Sequence, residues 1–269
     1  MGRSHALSGW CAGLAVAPLI GLTTVAEVVP FAAATAGYAL VPDLDHPGAS
    51  ASRLLGPVTR LVSAAVRAFS GVLYTVTKGP RDEKSTGKHR HATHTLVVAI
   101  LLGMLAAGLG DRGKWAVLAV AVAGLVLAAD VLGDWIVGAV LAATAWSVAS
   151  TTGAGTALPG TAAADALHAG LSQIGGWIGA AVTVGMFVHC LGDSLTRSGC
   201  PWLWPLPIRG ETWYELRLPK PLRFRTGHWF EQAVIVPVLT IGAVLLLPGG
   251  IQVVERLFDA TSIWLAGRS

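Results

Sequence analysis

The sequence predicts an all-α, polytopic helical membrane protein of about seven transmembrane helices plus one interfacial amphipathic helix. Across 269 residues it is 53% hydrophobic and 13% charged, with a mean hydropathy of +0.62, more apolar than a soluble domain of this size. Several apolar runs approach or exceed the roughly 20 residues that a helix needs to cross a hydrocarbon core. Fourteen of the 19 Lys and Arg residues fall in two segments, Arg53 to Arg90 and Arg197 to Arg225, as the positive-inside rule leaves them in cytoplasmic loops.

Ala6 to about Thr24 and Ala26 to about Val41 read as a helical hairpin broken near Thr23, Thr24 and Glu27, with Pro42 closing the second arm. The apolar positions Leu54, Leu55, Val58, Leu61, Val62, Ala65, Val66 and Phe69 recur at helical spacing between Arg53, Arg60 and Arg67, which predicts an amphipathic helix lying along the interface from Ala51 to Leu73. Thr95 to Leu109 is the third span. Trp115 to Ser150 is too long for one crossing, and a break near Asp130 to Gly133 gives two spans and keeps both basic loops on one side. Ile174 to Leu191 and Gln232 to Leu247 complete seven. The chain is thus expected to form a single membrane domain over 1–269 with cytoplasmic loops 50–92 and 197–228, its N-terminus a retained helix rather than a cleaved signal. The basic loops are explained by topology and anionic lipid, so the lipid bilayer is the expected partner and no nucleic acid is expected. Cys11, Cys190 and Cys200 are scattered and give neither a disulfide framework nor a zinc-ribbon spacing.

On this topology the unusual polar residues gather at one membrane face. His5 begins the first span; Asp43, Asp45 and His46 end the second; His89 and His94 introduce the third; His189 and Asp193 close the sixth; Glu231 opens the seventh. Ionisable groups are costly within a bilayer and mark a site or a pairing partner. His189 and Asp193, at i and i+4, share a helix face and can hold one ion. Asp43 and Asp45, one residue apart in a turn, can present carboxylates to the same ion or a neighbouring one. Mixed imidazole and carboxylate donors suit Zn²⁺, with Mn²⁺ or Fe²⁺ possible, better than Ca²⁺ or Mg²⁺. A spare carboxylate, Asp45 or Glu231, could serve as general base. A His-x3-Asp pair alone also fits a buried hydrogen bond and Asp-x-Asp-His-Pro a helix-end turn; convergence of five segments favours metal. Asp130 and Asp134, again i and i+4, read as buried between two spans, where they could belong to a transport path.

Val41-Pro42-Asp43-Leu44-Asp45-His46-Pro47, His89-Arg90-His91-Ala92-Thr93-His94-Thr95 and His189-Cys190-Leu191-Gly192-Asp193-Ser194-Leu195-Thr196-Arg197-Ser198-Gly199, followed by Trp204-Pro205, resemble the signature blocks of the YdjM-like family of membrane-bound metal-dependent hydrolases. That family includes an inner-membrane protein governed by the bacterial SOS repressor. The similarity spans about residues 3 to 235 and implies a bacterial inner-membrane location and hydrolase activity. It carries over His5, Asp43, Asp45, His46, His89, Arg90, Thr93, His94, His189, Asp193, Thr196 and Glu231. A remoter resemblance to the zinc-dependent phospholipase C and P1 nuclease group implies a phosphoester substrate.

The expectation is therefore a membrane-bound hydrolase facing the cytoplasm and acting on an amphipathic or phosphoester substrate. Its metal ligands are drawn from His5, Asp43, Asp45, His46, His94, His189, Asp193 and Glu231. Asp45, Glu231 and Arg90 are the catalytic candidates, and Arg90, Thr93, Thr196 and His89 hold the substrate, Arg90 by neutralising its phosphate. A metal or ion-coupled transporter using the same cluster is the alternative, with Asp130 and Asp134 as its mid-membrane step. His91 departs from the family pattern and is left out; His228 matches no block. The segment 150–173 and the C-terminal tail receive no role.

Overall fold

Thr24 starts the central helix with a capping box, accepting the third residue's N–H while the Glu27 carboxylate accepts its own N–H at 3.0 Å. This helix, α2 (Val25–Tyr38), packs against α1 (Gly2–Val16), α5 (Lys114–Leu132), α6 (Trp135–Thr152) and α7 (Gly160–Ser194). Its small residues Ala32, Ala33, Ala34, Ala36 and Gly37 are all buried and let those helices approach closely. The computed structural model describes residues 2–110, 112–152, 160–252, 254–256 and 259. Part of the 150–173 insertion and most of the C-terminal tail, to which no role was assigned, lie outside the described residues. The remaining helices are α3 (Pro57–Thr77), α4 (Leu96–Gly110), which lies along α7, and α8 (Val236–Leu245), which packs on α1. No β-strand forms among the described residues, only isolated bridges in the loop after α7.

Helices occur at all seven expected places, but the count of seven membrane spans is corrected. Among the described residues three helical segments are long and apolar enough to cross a bilayer: Val25–Asp45, Lys114–Leu132 and His168–Ser194. A fourth arises if Glu231–Leu245 and Gly250–Arg256, bent by 100°, act as one broken span. The reason is length. At about 1.5 Å per residue the 15 residues of α1 or of α4 reach only about 22 Å, short of a hydrocarbon core of about 30 Å. Pro18 and Gly21 end the first helix early, with a 3-10 turn at Ala17–Ile20 and Gly21 left-handed at φ +84°. Only 17% of the apolar α5 window is buried within the protein, so its hydrophobic surface faces outward.

The expected break between α5 and α6 falls at Gly133, φ +96°. Asp130 and Asp134 flank it and are exposed, which corrects their reading as a pair buried between spans. The neighbouring Val131 lines the same cleft as Asp43 and His46, so this turn stands at the end of the molecule where the polar residues gather.

Helix α3 reverses the usual polarity of a surface helix. Ser63, Ser70 and Tyr74 face the protein, whereas Leu55, Val58, Leu61, Val62, Phe69, Val72 and Val76, on or just before the helix, are exposed. The buried polar face holds the loop that follows: Ser70 Oγ accepts the Ala92 N–H at 3.1 Å, and the Tyr74 hydroxyl donates to the Glu83 carbonyl. The loop so anchored carries His89, Arg90 and His94.

Candidate metal centre

Four stretches of chain supply the inner side chains of the site. His189 and Asp193 lie one turn apart in the last turns of α7 and are fully buried. The Thr196 hydroxyl donates to the Asp193 carbonyl at 2.7 Å and closes that helix. Pro42 initiates a 3-10 turn, Pro42–Asp45, which points Asp43 and Asp45 to different sides. A second 3-10 turn, Ala92–His94, follows Arg90 in a left-handed conformation of φ +57° and delivers His94. His5 comes from the first turn of α1 and stacks on His189 with ring centroids 3.9 Å apart.

These groups meet closely. His94 Nε2 lies 3.2 Å from His189 Nε2 and 3.5 Å from Asp193 Oδ2, which is 3.7 Å from His189 Nε2. Asp43 Oδ1 is 3.8 Å from His189 Nε2, and His5 Nε2 is 3.5 Å from Asp193 Oδ1. Two ligands bound to one tetrahedral ion at about 2.0–2.2 Å stand about 3.3–3.6 Å apart, close to the 3.2–3.8 Å found here. Donor atoms of His5, His189 and Asp193, and those of Asp43, His94 and His189, each fall within 4.8 Å of one another.

The protonation pattern fits a cation at this point. A carbonyl can only accept, so His189 donates Nδ1–H to Ala39 O at 2.7 Å and turns the lone pair of Nε2 inward. Thr93 Oγ1 donates to Asp45 Oδ2 at 2.9 Å and accepts from His94 Nδ1 at 3.0 Å, so the His94 Nε2 lone pair also points inward. Two lone pairs 3.2 Å apart repel unless a cation lies between them. His5 Nε2 and Asp193 Oδ2 are buried without a hydrogen-bond partner, where such atoms are ordinarily satisfied. The two triads share His189, whose single inward nitrogen can serve one ion only, so the pair can hold one ion through it and not two.

The other expected site residues take different positions. Asp45 is completely buried and directs its carboxylate at His89 Nδ1 (2.6 Å), the Arg90 N–H (2.8 Å) and Thr93 Oγ1, with His94 Nδ1 at 3.4 Å. It stands behind His94, placed to orient that imidazole and neither among the clustered donor atoms nor open to the cleft. Glu231, buried in a π-helical turn, accepts from Ser4 Oγ and from the Gly227 N–H, both at 2.7 Å, and lies outside the donor cluster. His46 accepts the Gly48 N–H at 3.1 Å and leans on His89, also outside the cluster. The hydroxyls of Thr93 and Thr196 are committed to neighbours within the protein. His91 packs between Tyr74 and Trp213 and donates to the His89 carbonyl at 2.7 Å; burial pushes its pKa down and keeps the ring neutral. His228 is exposed and lines a separate hollow.

A cleft of about 500 Å³ opens beside the cluster, lined by Arg3, Asp43, His46, His89 and Arg90 with Leu40 and Val131. Arg90 spans cleft and cluster, its Nη2 3.3 Å from Asp193 Oδ1. Asp43, with 21% of its side chain exposed, is the carboxylate that lines this cleft. Arg3 escaped the sequence reading, although a single Arg two residues before the buried His5 on a mostly apolar helix was the available signal. The Ala39 carbonyl, which orients His189, left no signal in residue type.

If Asp45 works through His94, Asp45→Asn keeps the packing and removes the charge. Chelator competition is expected to show metal affinity reduced about 10–100-fold; an unchanged affinity would make Asp45 merely structural.

No curated protein and no solved structure gives a significant match to this sequence. The family of the YdjM inner membrane protein matches residues 1–256, nearly the whole chain and all of the clustered ligands. By that match, with the apolar helices and the buried His and Asp cluster, the chain belongs to the YdjM inner membrane protein family.

Proposed function

We propose that the protein is a membrane-bound metal-dependent hydrolase acting on a phosphoester with an apolar portion, such as a phospholipid, at the cytoplasmic face of the inner membrane. The carrying observation is the juxtaposition of the buried imidazoles and carboxylates of His5, His94, His189 and Asp193 and the cleft-facing carboxylate of Asp43 with a cleft lined by Arg3 and Arg90. Nitrogen and carboxylate donors at near-tetrahedral spacing favour Zn²⁺, with Mn²⁺ or Fe²⁺ as substitutes. A divalent ion in that position supplies Lewis acidity and brings the pKa of a bound water to about 7.

The protein's own groups then have separate tasks. Arg90 and Arg3 neutralise the phosphate, Arg90 able to do so with two N–H donors. His46 and the part-exposed ring of His89 edge the same cleft. Asp43, the carboxylate open to the cleft, takes over the base role expected of Asp45 or Glu231 and receives the proton lost by the attacking water, which leaves His5, His94, His189 and Asp193 as the donors. The exposed apolar face of α3 (Pro57–Thr77) begins a short turn after Ala49, Ser50 and Ala51 at the cleft wall. Inserted in the leaflet, it brings the cleft to the depth of lipid headgroups. Facing the cytoplasm is supported by the charge of the segments flanking the site.

A carrier would place its ligands near the bilayer midplane, often on broken helices. Here they gather at helix ends, and Asp130 and Asp134 are exposed at a turn, so nothing favours that alternative.

The test is elemental analysis of detergent-purified protein, followed by assay on bis-p-nitrophenyl phosphate and on labelled phospholipids. Turnover is expected with bound metal, lost with a chelator and restored by Zn²⁺. Arg90→Ala should raise KM for the anionic substrate by about 10–100-fold, the worth of charge-assisted hydrogen bonds. Bound metal without turnover on any ester would reject the hydrolase.

A further inference from the structure

In the chain after α7 lies a second hollow of about 500 Å³, lined by Arg197, Arg223, Arg225, His228, Trp229 and Phe230 among others. Among its described lining residues none is acidic. Arg197 and Arg225 are exposed, while Arg223 is tied by its Nε to the Leu218 carbonyl and fixes the hollow's wall. Arg197 and Arg225 carry like charge beside one concavity, and an anion there relieves their repulsion.

The surroundings specify which anion. Trp229 is 72% exposed and Leu222 is exposed beside it. From Phe230 the chain enters the π-turn and then α8, whose Val238, Ile241, Val244 and Leu245 are also exposed apolar residues. The basic hollow therefore continues into an uncovered apolar helix face, with an indole at the junction, the residue type that settles at a headgroup interface. A free phosphate would use only the basic half.

We propose that this hollow is a binding site for one anionic phospholipid, its headgroup phosphate held by Arg197 and Arg225 and its acyl chains lying along α8. The site is separate from the metal centre and does not depend on it. Because α8 packs on α1, which carries His5, the bound lipid would brace a helix that supports the centre.

The experiment uses the full chain in phosphatidylcholine vesicles doped with either brominated phosphatidylglycerol or brominated phosphatidylcholine. With 10 Trp residues in the chain, the signal of Trp229 is obtained as the difference between wild type and Trp229→Phe. The brominated anionic lipid is expected to quench Trp229 at a several-fold lower fraction than its zwitterionic counterpart. A basic residue at a membrane surface contributes about a fivefold factor, so Arg197→Gln with Arg225→Gln should erase the preference and Arg197→Lys with Arg225→Lys should keep most of it. Equal quenching by both lipids, or a preference that survives the double Gln variant, would overturn the proposal. So would release of the brominated lipid by inorganic phosphate, which would mark a site for soluble anions.

Discussion

His189→Ala is expected to strip the protein of its metal, from about one ion per chain to less than a tenth by elemental analysis. His189 is the residue common to both donor triads, and its Nε2 is within 4 Å of donor atoms from His94, Asp193 and Asp43. Its loss breaks both triads at once. Loss of one ligand from a centre with few donors removes most of its affinity. A general loss of structure is excluded by His91→Ala, which removes another buried imidazole only three residues from His94. His91 packs on Tyr74 and Trp213 and contributes to neither triad, so that variant should keep its metal. Equal metal content in wild type and His189→Ala would remove the centre, and equal loss in both variants would show that the measurement reads folding.

Much of the site is legible in residue type because polar groups stand out in an apolar chain. His189 and Asp193 announce themselves by one-turn spacing in a long hydrophobic run, and the structure brings them together with His94, Asp43 and His5 as that spacing and the helix-end pattern suggested. The division of labour within the Pro42–Asp45 turn was not legible. Asp43 and Asp45 are chemically identical and two residues apart, and only the 3-10 geometry sends one toward the cleft and the other behind His94. Glu231 is occupied by Ser4 and the Gly227 N–H, a pairing across more than 200 residues that only the tertiary fold creates. Helix positions followed from hydropathy, whereas span lengths did not: Pro18 and Gly21 stop α1 within an apolar run whose hydropathy continues.

Gly185→Ala is expected to lower both the melting temperature and the metal affinity, because this glycine sets the distance between the helices that hold His189 in place. A Cβ at Gly185 on α7 would lie 2.5 Å from the Thr35 carbonyl oxygen of α2 and 2.8 Å from the nitrogen of Ala39, which caps that helix. Both neighbours are backbone atoms of a buried helix and cannot turn aside, so α7 must move. Overpacking of this kind costs about 1–3 kcal/mol, sometimes more. The displacement acts where Ala39 O accepts His189 Nδ1–H at 2.7 Å, so the imidazole loses its orientation along with the packing. Gly37→Ala makes the same test one interface away, since its Cβ would fall 1.8 Å from the Gly124 carbonyl oxygen of α5. It should destabilise at least as much while sparing the His189 contact more. Gly138→Ala is the counterpart: no atom lies within 4 Å of its added Cβ, and Ala is favoured over Gly in a helix by about 1 kcal/mol, so this variant should melt no lower than wild type. Thermal melts in detergent, read beside chelator competition for each variant, separate the effects. A Gly185→Ala protein that melts and binds metal as the wild type does would show that α2 and α7 have room between them, and that their contact does not position His189.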